Sequence, residues 1–267
     1  MIDDADRDDR ATIAERAAHA GARVAHEHFR TGISTETKSG KTDVVTAADR
    51  TAQREAIDVI RTEFPDDAIV GEEDDELKAV PESGAAWIID PIDGTSNFVR
   101  DNRVWASVVA VVVDGEPVAS TTAMPALEDV YTVDAEGAYR NGEPLATSDV
   151  DDPEAAIVSP AMWWEMDRRD EYARACEAIV TRFGDARRIG SAQALLASIA
   201  DGGLEGAITN VETNPWDTVA GVNLIRQAGG RVTDLDGNRW RHDSVGLVAS
   251  NGELHGELLE AANEIEG

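Results

Sequence analysis

The sequence predicts a mixed α/β fold of stacked sheets and helices, and two patterns indicate it. Paired strands joined by tight turns dominate the first half of the chain, whereas strands and helices alternate in the second half. At 267 residues the chain can bury a full core, as one large domain or two closely packed halves. The polar stretch 147–154 is the best boundary, so we expect an N-terminal α+β half at 1–150 and a C-terminal α/β half at 151–267.

The first half begins with two predicted helices. Apolar residues recur at helical spacing from 11 to 29, and a second helix fits Ala48–Glu63, ending before Pro65. A short strand, "AIV", follows at 68–70. The run "WII" at 87–89 has no polar alternation, which is typical of a strand buried on both faces.

Two hairpins follow in the first half. The runs "VWASVVAVVV" and "EPVASTTAM" are predicted to pair through a two-residue turn at Asp114-Gly115. A second hairpin is predicted to turn at Asn141-Gly142, the same kind of dipeptide. Successive hairpins of this type favour an antiparallel sheet in this half.

The second half alternates strand and helix. The predicted elements are a strand at 157–159, a helix at 166–182, a short strand before a helix at 191–202, a strand at 206–210, a helix from Pro215, strands at 232–235 and 247–250, and a helix at 252–265. Asn214 can cap the helix that Pro215 opens, and Gly229-Gly230 ends it.

The charge balance is strongly acidic. The formal net charge is −29, from 53 acidic and 24 basic residues, and the lysines number three. Such a surface repels phosphate backbones and anionic lipid, so we expect neither nucleic acid nor membrane as a partner. Acid-rich, lysine-poor surfaces resemble those of proteins from extreme halophiles, and we hypothesise a cytoplasm with molar potassium, because salt screens the self-repulsion.

The remaining composition points to a cytoplasmic protein. No apolar run approaches the roughly 20 residues of a membrane span, and the acidic start "MIDDADRDDR" lacks the apolar region of a secretion signal. The single cysteine, Cys176, excludes an internal disulfide and is interpreted as a small packing residue on a helix.

Acidic residues stand at the ends of predicted elements in three places. Glu72-Glu73 follow the strand "AIV", Asp90 and Asp93 follow "WII", and Asp217 lies in the first turn of the helix after "NPW". Taken singly, the first pair fits a solvated loop, and an acid in a first helical turn stabilises the helix dipole without any further role. Taken together, they indicate a site for Mg²⁺, which prefers carboxylate oxygens and leaves positions for water and phosphate.

The residues between and after the two aspartates suit a phosphate. The carbonyl of Ile92 is a candidate metal ligand, and Gly94 lets the backbone approach a phosphate closely. A helix beginning here would offer free N–H groups to the anion, and the Thr95 hydroxyl could orient an attacking water.

Four motifs resemble those of the inositol monophosphatase family, the lithium-sensitive, magnesium-dependent phosphatases that include archaeal fructose-1,6-bisphosphatases and phosphoadenosine phosphatases. They are "GEE" at 71–73, "WIIDPIDGTSNF" at 87–98, "RRIGSA" at 187–192 and "PWDTVAG" at 215–221. Their order and spacing are those of the family, and the predicted elements cover nearly the whole chain. The resemblance implies a five-layered αβαβα sandwich, usually a homodimer.

The resemblance also implies residue roles. The metal ligands would be Glu72, Asp90, the Ile92 carbonyl, Asp93 and Asp217. The catalytic residues would be Glu72, Thr95 and Asp49, the last matching one of a family pair of acids with Asp43. The substrate-binding residues would be Asp93, Gly94, Thr95, Ser96, Gly190, Ser191, Ala192, Asn210 and Asp217.

The implied reaction is hydrolysis of a phosphate monoester by a metal-activated water. Two or three Mg²⁺ ions would lower the pKa of the water and shield the leaving oxygen during in-line transfer, and inhibition by Li⁺ is expected. Two alternatives are open. The first is an aspartate nucleophile in a D-x-D-x-T pattern, which fits poorly because Asp90 and Asp93 are separated by two residues instead of one before Thr95. The second is a regulator that binds a sugar phosphate without catalysis.

The substrate is left open between several esters. Some inositol phosphatases carry a glutamate seven residues before the "WD" aspartate, where this chain has Asn210. We favour inositol-1-phosphate and fructose-1,6-bisphosphate over the alternative of a 3′(2′),5′-bisphosphate nucleotide. Trp163 and Trp164 are interpreted as a cleft wall or as core, and Arg187 and Arg188 as contacts to a second phosphate or as surface ion pairs.

Overall fold

The computed structural model describes residues 4–32, 35–37, 44–73 and 76–266. The helices in this part of the chain are α1 Asp4–His28, α2 Ala47–Glu63, α3 Thr95–Phe98, α4 Arg169–Arg182, α5 Ala192–Ala200, α6 Pro215–Gln227 and α7 His255–Asn263. The strands are β1 Thr35–Thr37, β2 Val44–Thr46, β3 Ala68–Gly71, β4 Ala85–Asp93, β5 Ala106–Val113, β6 Glu116–Met124, β7 Asp129–Val133, β8 Ala138–Arg140, β9 Glu143–Pro144, β10 Ile157–Pro160, β11 Asp185–Ala186, β12 Gly206–Glu212, β13 Arg231–Thr233 and β14 Val245–Ser250.

Two large sheets and three helical layers alternate through the molecule. The larger sheet has the strand order β3-β4-β5-β6-β7-β8-β9, and the smaller has the order β11-β10-β12-β14-β13. Helices α1 and α2 cover the outer face of the larger sheet, α5 and α6 lie between the sheets, and α4 and α7 cover the smaller sheet. The five-layered αβαβα sandwich is therefore confirmed.

Strand β4 shows why the layers form. Trp87 and Ile89 pack with α1 and α2 in one apolar cluster, whereas Ile88, between them, belongs to the cluster that includes α5 and α6. Successive side chains of a strand point to opposite faces, so an unbroken apolar run requires helices on both sides. All three residues are almost completely buried.

The predicted hairpins are confirmed. Strands β5 and β6 pair antiparallel around Asp114 and Gly115, and β8 and β9 around Asn141 and Gly142. All four turn residues have positive φ, between 52° and 81°, which is the backbone conformation of a type I′ turn.

Helix α1 extends further toward the N-terminus than predicted, starting at Asp4 instead of near residue 11. Two acids lie in its first turn, where their negative charges interact favourably with the positive end of the helix dipole. Arg10 is nearly buried and forms ion pairs with Asp6 and Asp67. These contacts hold the added N-terminal turns of α1 against the rest of the protein. The described residues contain no helix with the length and apolarity that crossing a membrane requires.

Candidate active site

Strand β4 does not end with the predicted "WII" run at Ile89; it runs on to Asp93. Asp90 pairs with Val108 and Asp93 with Ala106, so three steps along β4 oppose two along β5. This extra residue is a β-bulge, and it resets the alternation of side chains. Asp90 and Asp93 would otherwise point to opposite faces of the sheet, but their carboxylates lie together.

Asp93 is held by the beginning of helix α5. Its carboxylate accepts a hydrogen bond from the Ser191 hydroxyl, and bonds from the main-chain N–H groups of Ala192 and Gln193 at 3.0 and 2.9 Å. Ser191 also caps the helix by accepting a bond from the N–H of Ala194. The motif "GSA", in which sequence reasoning saw only substrate contacts, thus fixes the orientation of an aspartate 98 residues away.

The backbone conformation and close contacts of Gly94 disfavour any side chain in this position. Its φ is +86°, and a Cβ would lie 2.9 Å from the Ser191 Cβ and 3.2 Å from the Gly190 carbonyl oxygen. Helix α3 begins directly after it, with Asn97 and Phe98 donating their N–H groups to the Gly94 carbonyl. Glycine is therefore required both for the turn and for the contact between the "DPIDGT" and "GSA" segments.

Asp217 enters from the first turn of α6, at the position that the sequence predicted. Asn214, just before the helix, donates its side-chain amide to the Asp217 carboxylate at 3.0 Å. Oxygen atoms of Asp90, Asp93 and Asp217 all lie within 4.8 Å of one another. Glu72, which follows β3, lies close enough for its charge to raise the pKa of Asp90 and of Asp217.

Burial and the neighbouring carboxylates strongly perturb the three aspartates. Burial, together with the charges of Glu72, Asp93 and Asp217, raises the pKa of Asp90 well above its usual range. Burial also raises the pKa of Asp93, against the opposing effect of its hydrogen bonds to α5. Burial and the charges of Glu72 and Asp93 raise the pKa of Asp217 to about 7. A divalent cation would relieve this repulsion, and an all-oxygen donor set fits Mg²⁺.

Thr95 connects this cluster to helix α2. Its hydroxyl lies 3.0 Å from the Ile92 carbonyl oxygen and 3.5 Å from the Asp49 carboxylate. Asp49, in the first turn of α2, is completely buried. The Ile92 carbonyl keeps a second lone pair for a metal. Asp43, the second acid of the predicted pair, lies outside the described residues.

Three supporting residues were missed by sequence reasoning. Gln53 is completely buried on α2 and binds both main-chain groups of Glu73, at 2.7 and 2.9 Å. Lys78 donates to the carbonyls of Gly71 and Glu72, at 2.7 and 3.1 Å. Gln193 joins α5 to α6. A glutamine on an otherwise apolar helix face was the available signal for Gln193.

The side chain of Asn210 has protein partners. Its amide oxygen accepts a bond from the Trp164 indole at 2.7 Å, and its amide nitrogen donates to the Glu171 carboxylate. Bonds from Arg168 and Asn210 lower the pKa of Glu171 to about 2. Trp164 is therefore a core residue, at 1% exposure.

Trp163, Arg187 and Arg188 lie in surroundings different from those of the buried Trp164. Trp163 is 46% exposed, and the guanidinium groups of Arg169 and Arg188 lie 4.4 and 5.9 Å from the centre of its ring. Arg187 forms a surface ion pair with Asp185, whereas Arg188 donates to the Met162 carbonyl at 2.9 Å. Arg188 stands three residues before Ser191, whose hydroxyl donates to the Asp93 carboxylate.

Comparison with known proteins gives a consistent result. The sequence model described as "Inositol monophosphatase family" matches residues 6–266. The fructose-1,6-bisphosphatase/inositol-1-monophosphatase of Thermotoga maritima is 35% identical over 232 residues, 86% of each chain. Nus factor SuhB of Escherichia coli is 31% identical over 245 residues, 90% of each chain. The solved structure of Thermotoga maritima IMPase TM1415 superimposes with a TM-score of 0.84 at 31% identity, covering 97% of each chain.

Proposed function

The chain belongs to the inositol monophosphatase family, and we propose that this phosphoric monoester hydrolase acts on a small sugar or cyclitol phosphate, with inositol-1-phosphate and fructose-1,6-bisphosphate as favoured substrates. The observation that carries the proposal is the carboxylate cluster of Asp90, Asp93 and Asp217, with the Asp49–Thr95 pair beside it. The clustered carboxylates repel one another, so bound cations would stabilise them. The turn that follows Asp93 can then bind a phosphate beside those cations.

We propose that the metal ligands are Glu72, Asp90, the Ile92 carbonyl, Asp93 and Asp217, and that two or three Mg²⁺ ions bind among them. Bound there, Mg²⁺ would supply a water of lowered pKa and neutralise charge on the phosphoryl oxygens. The hydrogen bonds from α5 orient one ligand and the Asn214 amide orients another, so the donor set is held before an ion arrives. Li⁺ inhibition is expected at the same ligands.

Thr95 and Asp49 are proposed to orient the water and receive its proton. The Thr95 hydroxyl, placed between the Ile92 carbonyl and Asp49, can accept a hydrogen bond from water while it donates to either oxygen. Asp49 can then hold the released proton. Lys78 donates to the Glu72 carbonyl and Gln53 to the Glu73 carbonyl, and these bonds position Glu72. The reaction needs no covalent intermediate.

The first turn of α3 is proposed to hold the phosphate. The N–H groups of Gly94, Thr95 and Ser96 precede those used inside the helix, and the Ser96 hydroxyl is part of the same turn. Gly190, Ser191, Ala192 and Asn210 are proposed to border the rest of the substrate. Asn210 would act there through the Glu171 carboxylate, which its amide nitrogen contacts.

Arg188 favours fructose-1,6-bisphosphate within this group, because a second phosphate needs a cation. In a chain with a net charge of −29, two guanidinium groups gather on the exposed ring of Trp163, next to the "GSA" motif. We expect Arg188→Ala to raise the KM for fructose-1,6-bisphosphate by about tenfold, the usual effect of losing one charged contact. The KM for inositol-1-phosphate should stay unchanged.

The matched control is Arg187→Ala, at the adjacent residue that pairs with Asp185 on the surface. It removes the same charge without touching Trp163, so both KM values should stay near wild type. An equal rise for both substrates in Arg188→Ala would contradict a role in binding a second phosphate.

The primary experiment is phosphate release in molar KCl with Mg²⁺. The substrates are inositol-1-phosphate, fructose-1,6-bisphosphate and 3′-phosphoadenosine-5′-phosphate, and the control is Asp93→Asn, which removes one ligand charge. Wild-type turnover on one or both favoured substrates, lost in Asp93→Asn, is expected. More than about a tenth of the wild-type rate in that variant at saturating Mg²⁺ would contradict the role of Asp93.

We further propose that the protein works as a homodimer in a cytoplasm of high salt. The acidic composition supports this setting, since screening by molar salt relieves repulsion among surface carboxylates. Sedimentation equilibrium in molar KCl measures the oligomeric state. A monomer at all concentrations tested would contradict the dimer.

A further inference from the structure

Gln193 links the Asp93 carboxylate to helix α6, which carries Asp217. It is the second residue of α5 and is completely buried. Its main-chain N–H donates to the Asp93 carboxylate at 2.9 Å. Its side-chain amide crosses to α6, where the nitrogen donates to the Trp216 carbonyl at 2.6 Å and the oxygen accepts from the Gly221 N–H at 2.8 Å.

The two contacts on α6 enclose the turn that carries Asp217. Trp216 immediately precedes Asp217, and Gly221 follows it by four residues, one helical turn further on. The amide of Gln193 therefore spans the turn from which the Asp217 side chain projects. A rotation or slide of α6 against α5 would stretch at least one of these hydrogen bonds.

The close approach of the two helices depends on Gly221. A Cβ at Gly221 would lie 2.4 Å from the Leu196 Cβ and 3.0 Å from the Gln193 amide oxygen. The first of these distances is shorter than real Cβ atoms show, so a side chain here would push α6 away from α5. The absence of a side chain lets the amide reach the helix backbone.

Packing alone does not require an amide at this position. The surrounding part of α5, with Leu195, Leu196 and Ile199, is apolar and buried. A methionine would fill about the same volume without any polar group to satisfy. A buried amide with both ends bonded is a directional contact, since moving either helix would leave a polar group without its partner.

We propose that Gln193 is a positioning residue that fixes the Asp217 carboxylate relative to the Asp93 carboxylate and so sets the affinity of the site for divalent metal. The inference rests on the proposed function, because it takes these aspartates as metal ligands. Gln193 touches neither the metal nor the substrate; it acts through the main chain of α5 and α6.

The test measures Mn²⁺ binding directly, from the loss of the free-ion signal in electron paramagnetic resonance, for wild type, Gln193→Met and Gln193→Glu. The methionine variant keeps the main-chain bond to Asp93 and loses both side-chain bonds. The glutamate variant keeps an acceptor for Gly221 and loses the donor to Trp216. The control is Thr233→Val, which removes a buried hydroxyl bonded to His255 at 3.0 Å, away from the cluster.

We expect the Kd for Mn²⁺ to rise by about tenfold or more in both Gln193 variants and to stay unchanged in Thr233→Val. The Mg²⁺ concentration for half-maximal turnover should rise by the same factor, whereas kcat at saturating Mg²⁺ should change by less than about threefold. A purely structural residue would lower the melting temperature, as we expect for Thr233→Val, without changing the Kd.

A Kd within about twofold of wild type in both variants would overturn the inference, whatever their stability. If one variant fails to fold, the other gives the same comparison. The metal measurement needs no turnover, so wild-type protein that binds Mn²⁺ without releasing phosphate would refute the proposed function alone. Wild-type protein that binds no Mn²⁺ would overturn both.

Discussion

The metal-free protein should become more stable when Asp217 is neutralised. The pKa of this carboxyl rises from 3.8 to about 7 in the fold, through burial and the charges of Glu72 and Asp93. Above neutral pH without metal, the folded protein therefore holds a charged carboxylate at a higher free energy than the same group has in water. Asp217→Asn removes this charge and keeps the size of the side chain and an oxygen for the Asn214 amide.

The sign and size of the effect follow from proton linkage. Between pH 4 and 7 the folded state binds a proton at Asp217 that the unfolded state has released, so the free energy of unfolding falls as pH rises through this window. One pKa unit corresponds to about 1.4 kcal/mol, which sets the loss at no more than about 4 kcal/mol, since Asp217 is partly exposed. For a chain of this size that is on the order of 10 °C in melting temperature.

The assay is thermal and urea unfolding at pH 4.5 and pH 8 in molar KCl, after removal of divalent metal. The control is Asp236→Asn, an exposed acid whose loss changes the net charge equally. Asp217→Asn should exceed wild type at pH 8, converge with it at pH 4.5, and gain less stability from added Mg²⁺, because a ligand stabilises only the state that binds it. A destabilised Asp217→Asn at pH 8, or a gain no larger than that of Asp236→Asn, would refute the reasoning.

Two further predictions concern stability. Gly94→Ala should lower the free energy of unfolding by about 1 to 3 kcal/mol in urea titrations, because strain at φ +86° adds to the contact with Ser191; Gly142→Ala, at φ +81° with open space around it, carries the strain alone and should lose less. The melting temperature should rise as the salt is increased from dilute buffer to molar KCl, since salt screens the net charge of −29. An unchanged melting temperature would argue against a high-salt setting.

The order of the elements was predictable because it depends on local patterns. The "WII" run, the Asp-Gly and Asn-Gly turns and the Asn-Pro start of α6 each act over a few residues, and all four appear in the structure. The predicted side-chain cap by Asn214 is wrong, because its amide donates to the Asp217 carboxylate instead. The start of α1 was wrong by several residues, because its first turns are stabilised by the ion pair of Arg10 with Asp67, 57 residues away. Contacts of that range leave no periodic trace in the sequence.

The acids of the carboxylate cluster were predictable from motifs, but their arrangement was not. The sequence shows Asp90 and Asp93 three residues apart, which in a regular strand places them on opposite faces. The register shift against β5 that brings them together depends on pairing with another strand. Likewise, the link from Gln193 to Trp216 and Gly221 exists only once α5 and α6 pack, so no local pattern announces it.

The most direct measurement is phosphate release from inositol-1-phosphate and fructose-1,6-bisphosphate by metal-stripped protein titrated with Mg²⁺ in molar KCl. If the carboxylate cluster is a catalytic metal site, turnover is absent without Mg²⁺, rises to saturation, and is lost in Asp90→Asn. Turnover that persists in the presence of a chelator would contradict a metal mechanism. Saturable Mg²⁺ binding without phosphate release from either ester, or from a bisphosphate nucleotide, would instead favour a non-catalytic binding protein built on the same fold.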